Sequence, residues 1–292
     1  VKIWLLQRNL LFLHLILTII NKRRDTLNKF YIIVALILML CIGCEWRLKP
    51  NNADSDAGFA VERYDRVQSL YLTTGDFSAL QQMSTNYPIQ TRTLIENVLK
   101  IGNVNDPEIN AKFLNFYQDT TLQAIINEAE QQYANMDDIN KEFTKSFDNL
   151  HKLFPSMKIP TIYAQIGSLD QSVIVGNNIV GFSLDKYLGK NYPLYKKFYS
   201  EEQRALMTRQ MIVPDCILFY ILSLYPLPHD RTATQQQCDI HMGKIQWIVN
   251  KVTGRKVFAN KYVATVARYM KKHNGATEHE LLTLPINNNL SN

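Results

Sequence analysis

Cysteine is scarce, with four in 292 residues. Cys41, Cys44, Cys216 and Cys238 have no spacing that would seat zinc or an iron–sulfur cluster. No Gly-rich phosphate loop occurs, and no Gly-x-Ser-x-Gly turn presents a nucleophilic serine. No His-Glu-x-x-His places two imidazoles one helical turn apart. The nearest approach, His279-Glu280-Leu281-Leu282-Thr283, has Thr283 where the second imidazole would stand. No apolar run reaches the ~20 residues that a membrane-crossing helix needs. These absences remove ready-made phosphate, acyl-transfer and zinc chemistry.

What is present is an ordinary globular composition, 46% hydrophobic, 20% charged and 11% aromatic, without repeats. The formal charge of +6 is unevenly placed. Six of the 32 basic residues but only Asp25 of the 26 acidic ones precede residue 45, leaving 26 against 25 in the remainder. That balance leaves no basic surface for phosphates, so no nucleic acid is expected as a partner.

The first 43 residues read as a leader. Asn9–Ile20 and Phe30–Gly43 are apolar runs on either side of Asn21–Lys29, which carries the positive charge. The second run has the parts of an export signal, and its flanking charges fix the orientation. Leu40-Cys41-Ile42-Gly43-Cys44 resembles the lipobox of bacterial lipoproteins, with Cys41 where Leu is usual. The resemblance implies lipidation of Cys44 after cleavage. A plain signal anchor or a two-helix membrane hairpin is the competing reading. No Met precedes Met39 and the chain begins with Val1, which leaves the true start open.

Residues 44–58 read as a polar tether. Residues 59–284 are expected to form a single globular α+β domain, and 285–292 a flexible tail. A helical lobe is expected to about residue 155, followed by a strand-plus-helix lobe. Ala60–Asp65 could be a short strand. Helices are expected from near Asp76, Ile89, Asp106 and Thr120, and most clearly over Thr121–Ala134 and Asp138–Phe154. In the last, Ile139, Phe143, Phe147, Leu150 and Phe154 form one core-facing stripe. Pro160–Gly167, Gln171–Val175 and Asn178–Leu184 predict a strand meander. Val213-Pro214-Asp215 starts a helix whose continuation, Cys216–Tyr225, is apolar nearly all round. Helices over about 233–252 and 257–273 close the fold. Cys216 and Cys238 are read either as a disulfide or as free thiols.

Asp185 and Asp215 could be an acid–base pair, although turn or cap roles are favoured. Cys238 and His241 share a helix face, which is read as solvated. His151 and His273 lie near helix ends, where they suit the dipole. The tyrosines Tyr187, Tyr192, Tyr195, Tyr199, Tyr220 and Tyr225 suggest an exposed patch that contacts a partner.

The block from Ile179 to Gly189 (IVGFSLDKYLG), with Tyr192-Pro193-Leu194-Tyr195 and Ile212-Val213-Pro214-Asp215, resembles the gliding motility-associated lipoprotein family, member B of the Gld series. Val61-Glu62-Arg63-Tyr64-Asp65-Arg66 and Tyr87-Pro88 look like that family too. The resemblance implies a non-enzymatic, lipid-anchored component of motility or surface secretion machinery, held to membrane lipid through Cys44 and contacting envelope proteins. It also implies an outer-membrane location facing the periplasm, and no cofactor. Asp185, Tyr187, Gly189, Tyr192, Pro214 and Asp215 are the expected motif surface. The layout is similar to zincin-type metallopeptidases, with Pro214-Asp215-Cys216-Ile217-Leu218-Phe219 where the zinc motif would lie. It is therefore read as zincin-like but lacking the zinc motif. The alternatives are a metallopeptidase-derived enzyme and a binder of envelope glycan or peptide.

Overall fold

The computed structural model describes residues 59–227 and 233–284. The expected leader, lipobox, Cys44, tether and C-terminal tail lie outside the described residues. The fold is α+β and mostly helical. Its N-terminal part runs through α1 (Tyr64–Thr74), α2 (Phe77–Thr85), α3 (Pro88–Arg92), α4 (Ile109–Phe116), α5 (Thr120–Gln132) and α6 (Asp137–Leu153). Each boundary has a local cause. Gly75 takes the left-handed conformation that ends α1, with φ 70°. Asp76 caps α2 by accepting from the Ala79 amide at 2.8 Å, and Asp119 caps α5 through the amides of Thr121 and Leu122. Beyond α3 the chain widens over Thr93–Val98 into i to i+5 bonding.

The strands are β1 (Thr161–Gln165), β2 (Val173–Gly176) and β3 (Ile179–Ser183). They are the three that the pattern predicts, but they do not form a meander. The sheet order is β1-β3-β2, with β1 parallel to β3 and β2 antiparallel to it. A two-residue turn at Asn177-Asn178 folds β2 onto β3, and Asn178 adopts φ 58°. β3 can then take β1 on its free side. Ala60–Asp65 is not a strand of its own. Glu62 alone bridges Tyr163, and the helix has begun by Tyr64.

After β3 come α7 (Tyr195–Phe198), α8 (Glu201–Leu206), α9 (Ile212–Leu224), α10 (Gln235–Thr253), α11 (Lys261–Lys272) and α12 (Glu278–Thr283). Capping boxes at Ser200, Thr234 and Thr277 open α8, α10 and α12. The expected α6 stripe is buried in full. α9 starts where Pro214 and Asp215 predict, and packs on β2, β3, α6 and α10. Its burial is incomplete, because Phe219 and Leu224 face outward. α1 packs on β1 and α6 packs on α10, so one hydrophobic core continues across residue 155. Among the described residues, no helix is long and apolar enough to cross a membrane.

Candidate functional site

Because β1 and β3 are parallel, the loop that follows β1 and the short turn Leu184–Lys186 that follows β3 leave the sheet at the same end. Asp185 sits on that turn, fully buried. Its carboxylate accepts the Gly167 amide at 2.6 Å and the Leu169 amide at 2.7 Å. These bonds hold Leu169 at φ 64°, a left-handed conformation that a branched side chain seldom adopts unaided. Burial pushes the Asp185 carboxyl above its ordinary value, and the two amides and Lys186 pull against that shift.

Tyrosine hydroxyls tie the same two loops to the helices. Tyr117 of the α4–α5 turn donates to the carbonyls of Ile166 and Gly167 at 2.8 and 3.1 Å. Gln68 of α1 pairs with both backbone groups of Ile166. Tyr195 donates to the Asp185 carbonyl and accepts the Leu188 amide at 3.0 Å. Lys186 reaches the Leu169 carbonyl at 3.0 Å and the Tyr199 hydroxyl at 3.1 Å.

Tyr187 links this end of the sheet to α9. Its carbonyl accepts the Tyr133 hydroxyl at 2.7 Å, and its own hydroxyl donates to Asp215 Oδ2 at 2.9 Å. Burial raises the Asp215 carboxyl to about 7, and the Tyr187 hydrogen bond opposes that rise. On the far side, the carbonyl of Tyr133 accepts from Arg63, which also forks onto Asp65 at 2.9 and 2.7 Å. Arg209 lies over the Tyr133 ring at 4.8 Å and forks onto Asp138. Tyr87 packs on Tyr64 with ring centroids 5.4 Å apart. The segments at 61–66, 87–88, 179–195 and 212–215, far apart in sequence, are thereby joined by one run of contacts.

The expected motif surface needs correction. Asp185, Tyr187 and Pro214 are buried, and Gly189, Tyr192 and Asp215 are each half-buried. The six tyrosines form no exposed patch. Tyr187, Tyr195 and Tyr220 are buried, and the other three are partly so. Their rings are drawn inward because each hydroxyl of the buried three finds an acceptor there. Asp185 and Asp215 share no hydrogen bond; Asp185 holds a turn, whereas Asp215 caps no helix amide and accepts from Tyr187 instead.

The solvated face at Cys238 and His241 is also corrected. His241 is buried, with Nε2 2.8 Å from the Tyr225 carbonyl at the end of α9, and burial lowers its pKa. Cys216 and Cys238 are free thiols. Among the described residues, no group of three His, Cys, Asp or Glu side chains converges as a metal site would require. Sequence reasoning did not find the amides of Gly167 and Leu169, nor Gln68, Tyr117 and Tyr133. Backbone amides carry no residue-type signal, and the other three contact the loops across 49 to 98 residues of chain.

Two of the grooves among the described residues are open to solvent. One, of about 620 Å³, lies beside Leu169, Leu194, Phe198 and Tyr199. The other, of about 650 Å³, lies between the β2–β3 turn and the end of α9, lined in part by Tyr220, Tyr225 and His279. No curated protein and no solved structure matches the chain. The family described as gliding motility protein GldB matches residues 45–262, from the residue after Cys44 to Tyr262 near the start of α11. That span holds every segment of the Tyr187 network, and the chain is a gliding motility-related protein that belongs to the GldB lipoprotein family.

Proposed function

We propose that this protein is a non-enzymatic docking component of gliding motility or associated surface secretion machinery, held at the envelope by a lipidated Cys44. The observation that carries this reading is how the motif residues are used. Asp185, Tyr187 and Asp215 are committed to one another, to backbone amides or to neighbouring hydroxyls inside the fold. A general acid or base needs reach to a substrate proton, and a nucleophile needs an exposed, activated atom. Burial and prior engagement suit a rigid frame better than turnover. The donors on α9 where a zincin would hold zinc are Asp215 and the buried thiol of Cys216, which fits a degenerate, non-catalytic domain.

The anchor follows from the leader. Acylation of Cys44 and the polar residues behind it would tether the folded part to the outer membrane, on its periplasmic face. Two acyl chains or more are needed for stable attachment, which the lipoprotein pathway supplies. Cys44→Ser should abolish metabolic palmitate labelling and leave uncleaved precursor. Unchanged labelling would overturn the anchor. A pull-down of wild type from detergent-solubilised envelopes should recover motility or secretion proteins. Recovery of the monomer alone, together with stoichiometric zinc in elemental analysis, would overturn the docking reading in favour of an enzyme. The groove at Tyr220, Tyr225 and His279 favours one second reading, a binder of envelope peptide or glycan.

A further inference from the structure

We propose that the outer edge of β2 holds the partner, by adding an extended polypeptide segment as a fourth strand of the sheet. The inference rests on the docking reading and names where docking occurs. Ser183 donates its amide to the Ser172 carbonyl at 2.9 Å, which makes that pair a hydrogen-bonded one. Antiparallel pairs alternate, so Ile174 with Gly181 and Gly176 with Ile179 are hydrogen-bonded as well. Val173 and Val175 then turn their amides and carbonyls away from β3. No described residue bonds these groups, and β2 has a partner on one side only.

The edge also lacks most of the usual protection. Natural edge strands are kept short, carry lysine, proline or a bulge, or lie under another element, and of these β2 has only its shortness of four residues. Gln171–Asn178 contains no charged residue and no proline, and Val173, Ile174 and Val175 are all partly exposed. α9 packs on β2 and β3 and gives the edge a rigid backing. At the turn end the edge opens into the groove lined by Met157, Val175, Tyr220 and Leu224. The groups offered are alternating N–H and C=O with apolar side chains on both faces. Their complement is another extended backbone with apolar side chains; the polar groups and rings a glycan would use lie in the groove at the turn end and not along Val173, Ile174 and Val175.

The test uses the full chain purified in detergent and short random peptides displayed on phage. Selected peptides should bind in solution, and methylating the backbone nitrogen at alternate residues should weaken binding by about tenfold or more, with the intervening residues insensitive. Val175→Pro should weaken binding as strongly. Proline there removes an outward amide and leaves the β2–β3 ladder intact, so thermal unfolding should move little. Val173→Pro repeats the test one pair further along. Failure to select any peptide, insensitivity to N-methylation and Val175→Pro, or preferential binding of glycan fragments would each overturn the proposal. So would concentration-dependent dimers that are lost in Val175→Pro. Envelope partners that still co-purify with a folded Val175→Pro variant would remove the edge as the docking place and leave the docking reading standing.

Discussion

The Tyr187 hydroxyl donates to Asp215 Oδ2 at 2.9 Å and so joins the turn after β3 to the first turn of α9. The carboxyl it meets is held neutral-leaning by burial, with a pKa of about 7 against an ordinary 3.8.

A carboxyl raised on folding takes up protons relative to the unfolded chain. Its contribution to stability is full below pH 3.8 and is lost as pH rises to about 7. Asp215→Asn keeps an oxygen for Tyr187 and removes the titration. The variant should gain on wild type by on the order of 3 kcal/mol at pH 8, with little difference at pH 4, in urea unfolding. A pH-independent difference would refute the assignment.

His241 works in the opposite sense. Burial lowers its pKa from 6.5, so its stabilising contribution is present above that value and lost as pH falls. His241→Gln should flatten the acid side of the stability profile while retaining a donor to the Tyr225 carbonyl. An unchanged acid limb, measured by thermal unfolding between pH 5 and 7, would show that another group controls it.

Asp185→Ala should cost about 3 kcal/mol, because the Gly167 and Leu169 amides lose their acceptor inside the protein. Asp185→Asn retains one acceptor oxygen and should cost less. Amide exchange at Gly167 and Leu169 should accelerate in the alanine variant ahead of the strands. Uniform acceleration across the sheet would mean that the loop is not held by Asp185.

Gly181 faces the ring of Tyr163 across the β1–β3 pair. A Cβ at Gly181 would stand 2.2 Å from that ring, well inside contact distance. Gly181→Ala should therefore destabilise by about 2 kcal/mol through overpacking. Adding Tyr163→Ala should recover part of that loss, as a positive coupling in a double-mutant cycle. Strict additivity of the two changes would exclude the clash.

The helices were legible because their signals are local. Asp76, Thr120 and Pro214 mark starts, and the stripe from Ile139 to Phe154 repeats at helical spacing. The three β runs were legible for the same reason, from β-rich composition between turn residues. Their order was not. Which side of β3 receives β1 depends on pairing across the hairpin, and residue type says nothing about it. The motif residues were legible as a set, from Asp185 through Asp215. Their placement inside the fold was misjudged, since a tyrosine fits a core and a surface equally well until its hydroxyl has an acceptor.

His241 shows the same division. The run before it, Gln235 to Asp239, is mostly polar, and only the arrival of the α9 terminus at its ring makes the position an interior one. By itself the sequence determined most element types, the uneven charge of its first 44 residues and the family, all of which reside in short stretches of chain. Tertiary structure alone decided that Tyr187 faces Asp215, that Asp185 gathers two amides from another loop, and that β2 is left at the edge. These are pairings between distant residues, selected by the joint requirement to bury apolar surface and satisfy every buried polar group.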